Sequence, residues 1–263
     1  MRHDRPVPFR GGGFVPAATP FAGALTLLAL LALWETGAQL HLFATAFLSR
    51  PSSIAHALAN LALSGELARH LGASLSRLAL GWLAGTLAGL VAGLAISLAV
   101  LARGPGMAIV GALFPIPKIA LVPLFIIWLG IGEGSKVFTV AFGVLFPTII
   151  NTIAGVDAVP RNLVRMAQSF GLSWRAVVWK VILPGALPSI LAGLRITVAT
   201  AVILLVAAEM IGAENGIGAF VLQAGNLYDV DALMAGIAVL SALGLALSSL
   251  ITLAERHFLR WRA

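Results

Sequence analysis

Six apolar runs of about 20 residues or more divide the 263-residue chain: Phe14–Trp34, Leu78–Leu101, Met107–Leu129, Val137–Val156, Leu183–Ile211 and Ala232–Leu253. Each is long enough to cross a hydrocarbon core as a helix. The runs are apolar on all sides, whereas barrel strands alternate apolar and polar residues in segments of about ten. The pattern predicts an all-α integral membrane protein with about six transmembrane helices. An amphipathic helix over Ser52–His70, after Pro51, is expected on the membrane surface, with Ile54, Leu58 and Leu61 on one face.

Two spans carry further information. The second has Gly81, Gly85, Gly89 and Gly93, one every four residues, flanked by Ala84, Ala88 and Ala92. That spacing puts the small residues on one helix face, where a neighbouring backbone can approach closely. The third contains Pro115, Pro117 and Pro123, so it cannot be a straight regular helix. Broken helices at membrane depth often line transport paths, although a simple kink or short re-entrant stretch accounts for the prolines as well.

Composition agrees with the pattern. Hydrophobic residues make up 60% of the chain and charged residues 10%, against roughly 25% charged in a soluble domain. The net charge of +7 is a matter of sidedness, not of nucleic-acid binding. With six alternating spans, eleven of the 17 basic residues fall on the side of the two termini. Arg50, Arg69, Arg77 and Lys136 fall on the other side, and Lys118 and Arg195 within spans. Basic residues collect in cytoplasmic loops, so both termini are expected in the cytoplasm. Arg2, Arg5 and Arg10 precede the first run, which reads as a retained anchor more than a cleaved signal. Cysteine is absent, which excludes disulfides and thiolate metal sites. His56 and His70 are read as members of a solvated face, and the five histidines show no metal-ligand spacing.

The segment between the fourth and fifth spans, residues 157–182, departs from pure membrane packing. Pro160 suits a first helical position and Asp157 a cap. The helical pattern continues through Leu163, Val164, Ala167 and Phe170, and Gly171 stands where a helix would end in a left-handed residue. Ser173 can cap a second helix running to Leu183, before Pro184 and Pro188 open the next span. The result is a helix–corner–helix projection, suited to docking a partner.

These residues carry a family resemblance. The run Arg165-Met166-Ala167-Gln168-Ser169-Phe170-Gly171, nine residues, then Val181-Ile182-Leu183-Pro184 resembles the EAA loop of ABC importer permeases. That loop has the form E-A-A, three residues, G, nine residues, I-x-L-P. Trp34-Glu35, Pro123-Leu124-Phe125, Trp128-Leu129-Gly130, Gly193-Leu194-Arg195, Glu209-Met210-Ile211 and Gly216-Ile217-Gly218 fit its nitrate, sulfonate and taurine branch. Two positions depart: Arg165 stands for the leading Glu and Met166 for the first Ala.

The resemblance implies a type I importer permease in the bacterial inner membrane. Residues 1–45 would form a cytoplasmic tail and accessory span, and 46–263 the permease core. Two copies would pair across the path, each contacting one ATPase subunit, with an external binding protein delivering a small anion. The ATPase-coupling residues would be Arg165, Met166, Ala167, Gln168, Phe170, Gly171, Leu183 and Pro184. Small Ala167 would permit close approach to the ATPase groove, and Gly171 would set the docking angle.

The chain lacks the G-x-x-x-x-G-K-[ST] spacing of a phosphate-binding loop. Gly130-Ile131-Gly132-Glu133-Gly134-Ser135-Lys136 is a turn between spans, so ATP and Mg belong to the partner subunit and no cofactor or metal is expected here. Nor is a nucleophile–base pair evident, so no catalytic role is assigned. Charges at membrane depth default to function. Lys118 and Arg195 either face an anionic substrate or bind backbone carbonyls at broken helices. Glu209 is the third candidate for the substrate path; it is too far along its helix to pair with Arg195 within that helix, and Glu35 belongs near the outer interface. An ion-gradient-driven transporter or channel is the alternative, and would call for inverted repeats or an acidic relay.

Overall fold

The computed structural model describes residues 20–42, 44 and 47–259. The beginning of the first apolar run, Arg2, Arg5, Arg10, Arg260 and Arg262 lie outside the described residues. Contacts divide the chain after His56 into two units.

In the first unit, α1 (Pro20–Gln39) corresponds to the first apolar run. Its Glu35 accepts hydrogen bonds from Ser52 N–H at 3.0 Å and Ser52 Oγ at 2.9 Å, and from Gln39 Nε2 at 2.8 Å. Ser52 opens α2 (Pro51–Leu63), so Glu35 places an anion on orphan N–H groups at a helix start.

The second unit is helical throughout, with no strand among the described residues. Its elements are α3 (Glu66–Leu98), α4 (Val100–Leu113), α5 (Val122–Leu129), α6 (Glu133–Asp157), α7 (Arg161–Ser169), α8 (Trp174–Val177), α9 (Leu183–Gly212), α10 (Ile217–Asn226) and α11 (Val230–Phe258). Among the described residues, four helical runs are long and apolar enough to cross a membrane, and the bent pair Val100–Leu113 with Lys118–Leu129 counts as a fifth where it is one broken span. That pair turns through 84°. Pro115 and Pro117 sit at the bend and Pro123 in the first turn of α5, as expected of residues that lack an N–H and fix φ.

The glycine seam packs α3 against α6. Gly81 faces Val137 and Val140, Gly85 faces Ala141 and Val144, Gly89 faces Leu145 and Thr148, and Gly93 faces Ile149 and Thr152. Residue numbers rise together on both helices, so α3 and α6 run parallel. A Cβ at Gly81 would lie 2.7 Å from the Val137 carbonyl oxygen, closer than any side chain tolerates. On its other side α6 meets α9 antiparallel: Gly143 lies against Leu204, Asn151 against Gly193, and Gly155 against Ala186 and Ser189. Leu78, Val140, Val144, Ala201, Leu205 and Leu243 close this core from α3, α6, α9 and α11.

Four local expectations change. The surface helix expected over Ser52–His70 ends at Leu63, the chain turns at Gly65, and His70 belongs to α3 and is buried. Arg77 and Lys136, expected in exposed connections, lie inside α3 and α6 and are each 4% exposed. Hydropathy windows exclude the charged ends of long helices, so α3 and α6 begin well before their apolar runs. Asp157 does not cap α7; it ends α6 and pairs with Arg103 at 2.6 Å, while Pro160 takes the cap position. The second short helix is not separated from the next span, because Trp174–Gly212 is continuous. Its Val178–Ile182 turn is π-helical, with Leu183 N–H reaching back to Val178 O. Pro184 has no N–H to give the carbonyl four residues back and crowds it, and one wider turn absorbs both effects.

Candidate functional site

One end of the bundle carries the corner that the sequence singled out. Phe170 caps helix α7 at its C-terminal end, and Gly171 adopts φ +73°. Gly171 N–H donates to Gln168 O at 2.9 Å and Leu172 N–H to Ala167 O at 3.2 Å. This paired return satisfies the last carbonyls of the helix and requires a left-handed residue at position 171. Ser173 Oγ accepts from Ala176 N–H at 3.4 Å and caps α8.

The faces of α7 are distinct. Ala167 is 6% exposed and packs with Val177 and Ile182, with Val164 and Leu172 beside them. Its small side chain therefore permits close approach to the chain's own core, not to an outside groove. Beside it on the helix surface, Leu163, Met166 and Phe170 are exposed, Phe170 by 76%, and Trp174 and Trp179 project from the following turns. On the side of α7 away from that apolar face, Arg161, Arg165 and Gln168 line an open cavity of about 790 Å³ with Arg103 and Asp157. Leu183 is half-buried and Pro184 exposed where α9 begins.

The other end holds a cluster of charges at the start of α10. Arg77 binds Glu133 with both arms of its guanidinium, Nε to Oε2 at 2.6 Å and Nη2 to Oε1 at 2.7 Å. Its Nη1 donates to Glu209 Oε1 at 2.7 Å and to Asn215 O at 2.6 Å. Glu209, 1% exposed, also accepts from Ser74 Oγ at 2.9 Å and from Gly218 N–H at 2.9 Å. Ile217 N–H donates to Ser74 Oγ at 2.9 Å and Gly216 N–H to His70 Nδ1 at 3.1 Å. The first N–H groups of α10 are thus taken up by side chains of α3 and α9, with a carboxylate at the positive end of the helix. Because Nδ1 of His70 accepts, the ring is held neutral with its proton on Nε2. Gly216 has φ +140°, and a Cβ there would lie 2.5 Å from Glu209 Oε1. Lys136 adds hydrogen bonds to Ile131 O at 2.8 Å and Gly132 O at 3.1 Å.

The three charges singled out within spans do not converge. Glu209 is in this cluster. Arg195 pairs with Glu255 of α11. Lys118 donates to Phe114 O at the bend and lies 5.0 Å and 5.6 Å from the Phe114 and Phe146 ring centres. No hydrogen bond or ion pair joins any two of them among the described residues. Sequence reasoning missed His70, Ser74, Arg77 and Glu133. The signal was present in the spacing of the first three, which share one face once α3 is extended to Glu66. No group of metal-binding side chains occurs among the described residues.

Comparison with known proteins agrees with this anatomy. Residues 85–261 match the family described as binding-protein-dependent transport system inner membrane component. The taurine transport system permease protein TauC of Escherichia coli (strain K12) is 38% identical over 241 residues, covering 90% of this chain and 88% of that protein. The aliphatic sulfonates transport permease protein SsuC of the same organism is 39% identical over 232 residues, with 88% of each covered. An inward-facing structure of the MetNI methionine ABC transporter contains a chain matched at TM-score 0.65 and 22% identity, covering 76% of this chain and 98% of that one. At that identity the likeness speaks for the fold alone. The chain belongs to the binding-protein-dependent transport system inner membrane components, the permease subunits of ATP-driven ABC importers, which rely on a partner subunit for ATP hydrolysis.

Proposed function

We propose that the chain carries a small sulfonate-class anion inward as one of two identical permease copies, with α7 seated in a groove of the partner ATPase. The observation that carries the docking is the exposed apolar face of α7, Leu163, Met166 and Phe170, held out by the Gly171 corner. Exposed aromatic and long apolar side chains on a short rigid helix suit insertion into a groove. Arg165 and Gln168 occupy the side of α7 away from that face, and with Arg165 in place of the family's leading Glu that residue's acidic contact is absent here. Leu183 and Pro184 tie the corner to α9 through the π turn, so that a push on α7 reaches a run of 39 residues.

The names of relatives that carry taurine and aliphatic sulfonates support the substrate class. Of Lys118, Arg195 and Glu209, Lys118 alone forms no ion pair among the described residues, and we assign it the anion-facing role; Arg195 pairs with Glu255 and Glu209 with Arg77. The α7 end is taken as cytoplasmic because Arg103, Arg161, Arg165, Arg175 and Lys180 gather there. ATP and Mg bind the partner, and ATP drives the cycle by favouring one state of the bundle over the other. The experiment is purification of the tagged chain in mild detergent with mass spectrometry, paired with uptake of radiolabelled taurine. A stoichiometric ATPase, lost on Phe170→Asp or Gly171→Asp, supports the docking; retention of the ATPase in both variants rejects it. Taurine uptake competed by alkanesulfonates supports the substrate class, and uptake indifferent to them rejects it.

A further inference from the structure

The cavity beside α7 is not accounted for by docking or by the transport path. It opens where α6 ends and α4 begins, against the flank of α7, and its volume of about 790 Å³ is within the range of small-ligand sites. Three guanidinium groups border it, Arg103, Arg161 and Arg165, with Gln168 between the last two and the core. Asp157 is the one carboxylate in the lining, and it is already engaged by Arg103 at 2.6 Å. Neither Arg161 nor Arg165 forms an ion pair with any described residue. The remaining wall is apolar, including Val159 and Ile182.

We propose that this cavity binds a phosphate-class oxyanion, supplied by the headgroup of an anionic phospholipid in the adjoining leaflet. Two uncompensated arginines at fixed helical spacing, a turn apart on α7, give the planar forks that phosphate oxygens accept best. The apolar wall and the position at the ends of two spans put the site at headgroup depth, where basic pockets between helices recruit anionic lipid. Free phosphate has the same chemistry and lacks the acyl chains that would follow α4 and α6 into the membrane. A bound headgroup would bridge α4 and α7, so lipid composition would bear on the position of the coupling helix. The proposal rests on the membrane assignment and not on where the ATPase docks.

The test uses the chain with its partner ATPase in nanodiscs of phosphatidylcholine alone or mixed with phosphatidylglycerol. Lipid retained per complex is read by native mass spectrometry, and radiolabelled inorganic phosphate is the second probe in the phosphatidylcholine discs. The expected result is retained phosphatidylglycerol, with retention falling roughly fivefold in Arg161→Gln, preserved in Arg161→Lys and rising in Asp157→Asn. These opposite directions separate loss of charge from damage to the fold. Binding of inorganic phosphate that Arg161→Gln abolishes, without retained lipid, keeps the oxyanion site and makes the free ion its source. Retention of neither probe above the Arg161→Gln level overturns the proposal. So does release of the ATPase by Arg161→Gln with lipid retention unchanged, which would make the cavity a receptor for an acidic segment of the partner.

Discussion

Arg77 Nη1 and Glu209 Oε1 lie 2.7 Å apart although 132 residues separate them in sequence. Their contact joins α3 to α9, and through Gly216, Ile217 and Gly218 it also sets where α10 begins. Both side chains are almost wholly buried, 4% and 0% exposed. Such a pair is costly to desolvate and more costly to break, because the survivor is left as an unpaired buried charge.

Glu209→Ala should therefore destabilise the protein by about 3–5 kcal/mol. Glu209→Gln should cost less, since the amide oxygen still accepts from Ser74 and Gly218. Thermal unfolding of the detergent-purified chain checks the order; equal losses for the two variants would mean that the charge accounts for the whole effect and the hydrogen bonds kept by Gln for none of it.

Ser74→Ala removes the acceptor of Ile217 N–H and a donor to Glu209 together. A buried unsatisfied group costs about 1–3 kcal/mol. The loss should appear as faster hydrogen exchange at the start of α10, while the coupling end is unchanged.

The α3–α6 seam permits a comparison of two glycines. A Cβ at Gly85 would collide with the Ala141 carbonyl and Val144, whereas one at Gly104 meets nothing within 4 Å. Gly85→Ala should force the helices apart and lower the yield of monodisperse protein on size exclusion. Gly104→Ala should be tolerated or slightly stabilising, because alanine is the better helix former by about 1 kcal/mol.

Pro184→Ala restores an N–H that can bond Lys180 O and removes the ring that widens the turn. The π turn should then close to α geometry, rotating α8 and α7 relative to α9. In the reconstituted complex, ATP hydrolysis should persist while uptake falls. Undiminished uptake would show that the π turn has no part in coupling.

Much of this architecture was open to inspection along the chain. The lengths of the apolar runs, the prolines that bend the third, the four-residue glycine period and the Gly171 corner are all local, and local sterics decide them. Period-four glycines on one face leave a helix little choice but to meet another backbone, and α3 does so at every one of the four. What the sequence by itself determined is therefore the apolar runs at the centres of the spans, the place of the break and the corner of α7. Tertiary structure alone decided which backbone fills the seam, that Ala167 turns inward while Met166 and Phe170 turn out, and that Arg77 and Lys136 are core residues and not loop residues. The physical reason is that hydropathy scores each residue against lipid or water. The buried charge of Arg77 answers to neither; it is stable because Glu209 reaches it from a distant segment, and that partner is chosen only when the helices pack.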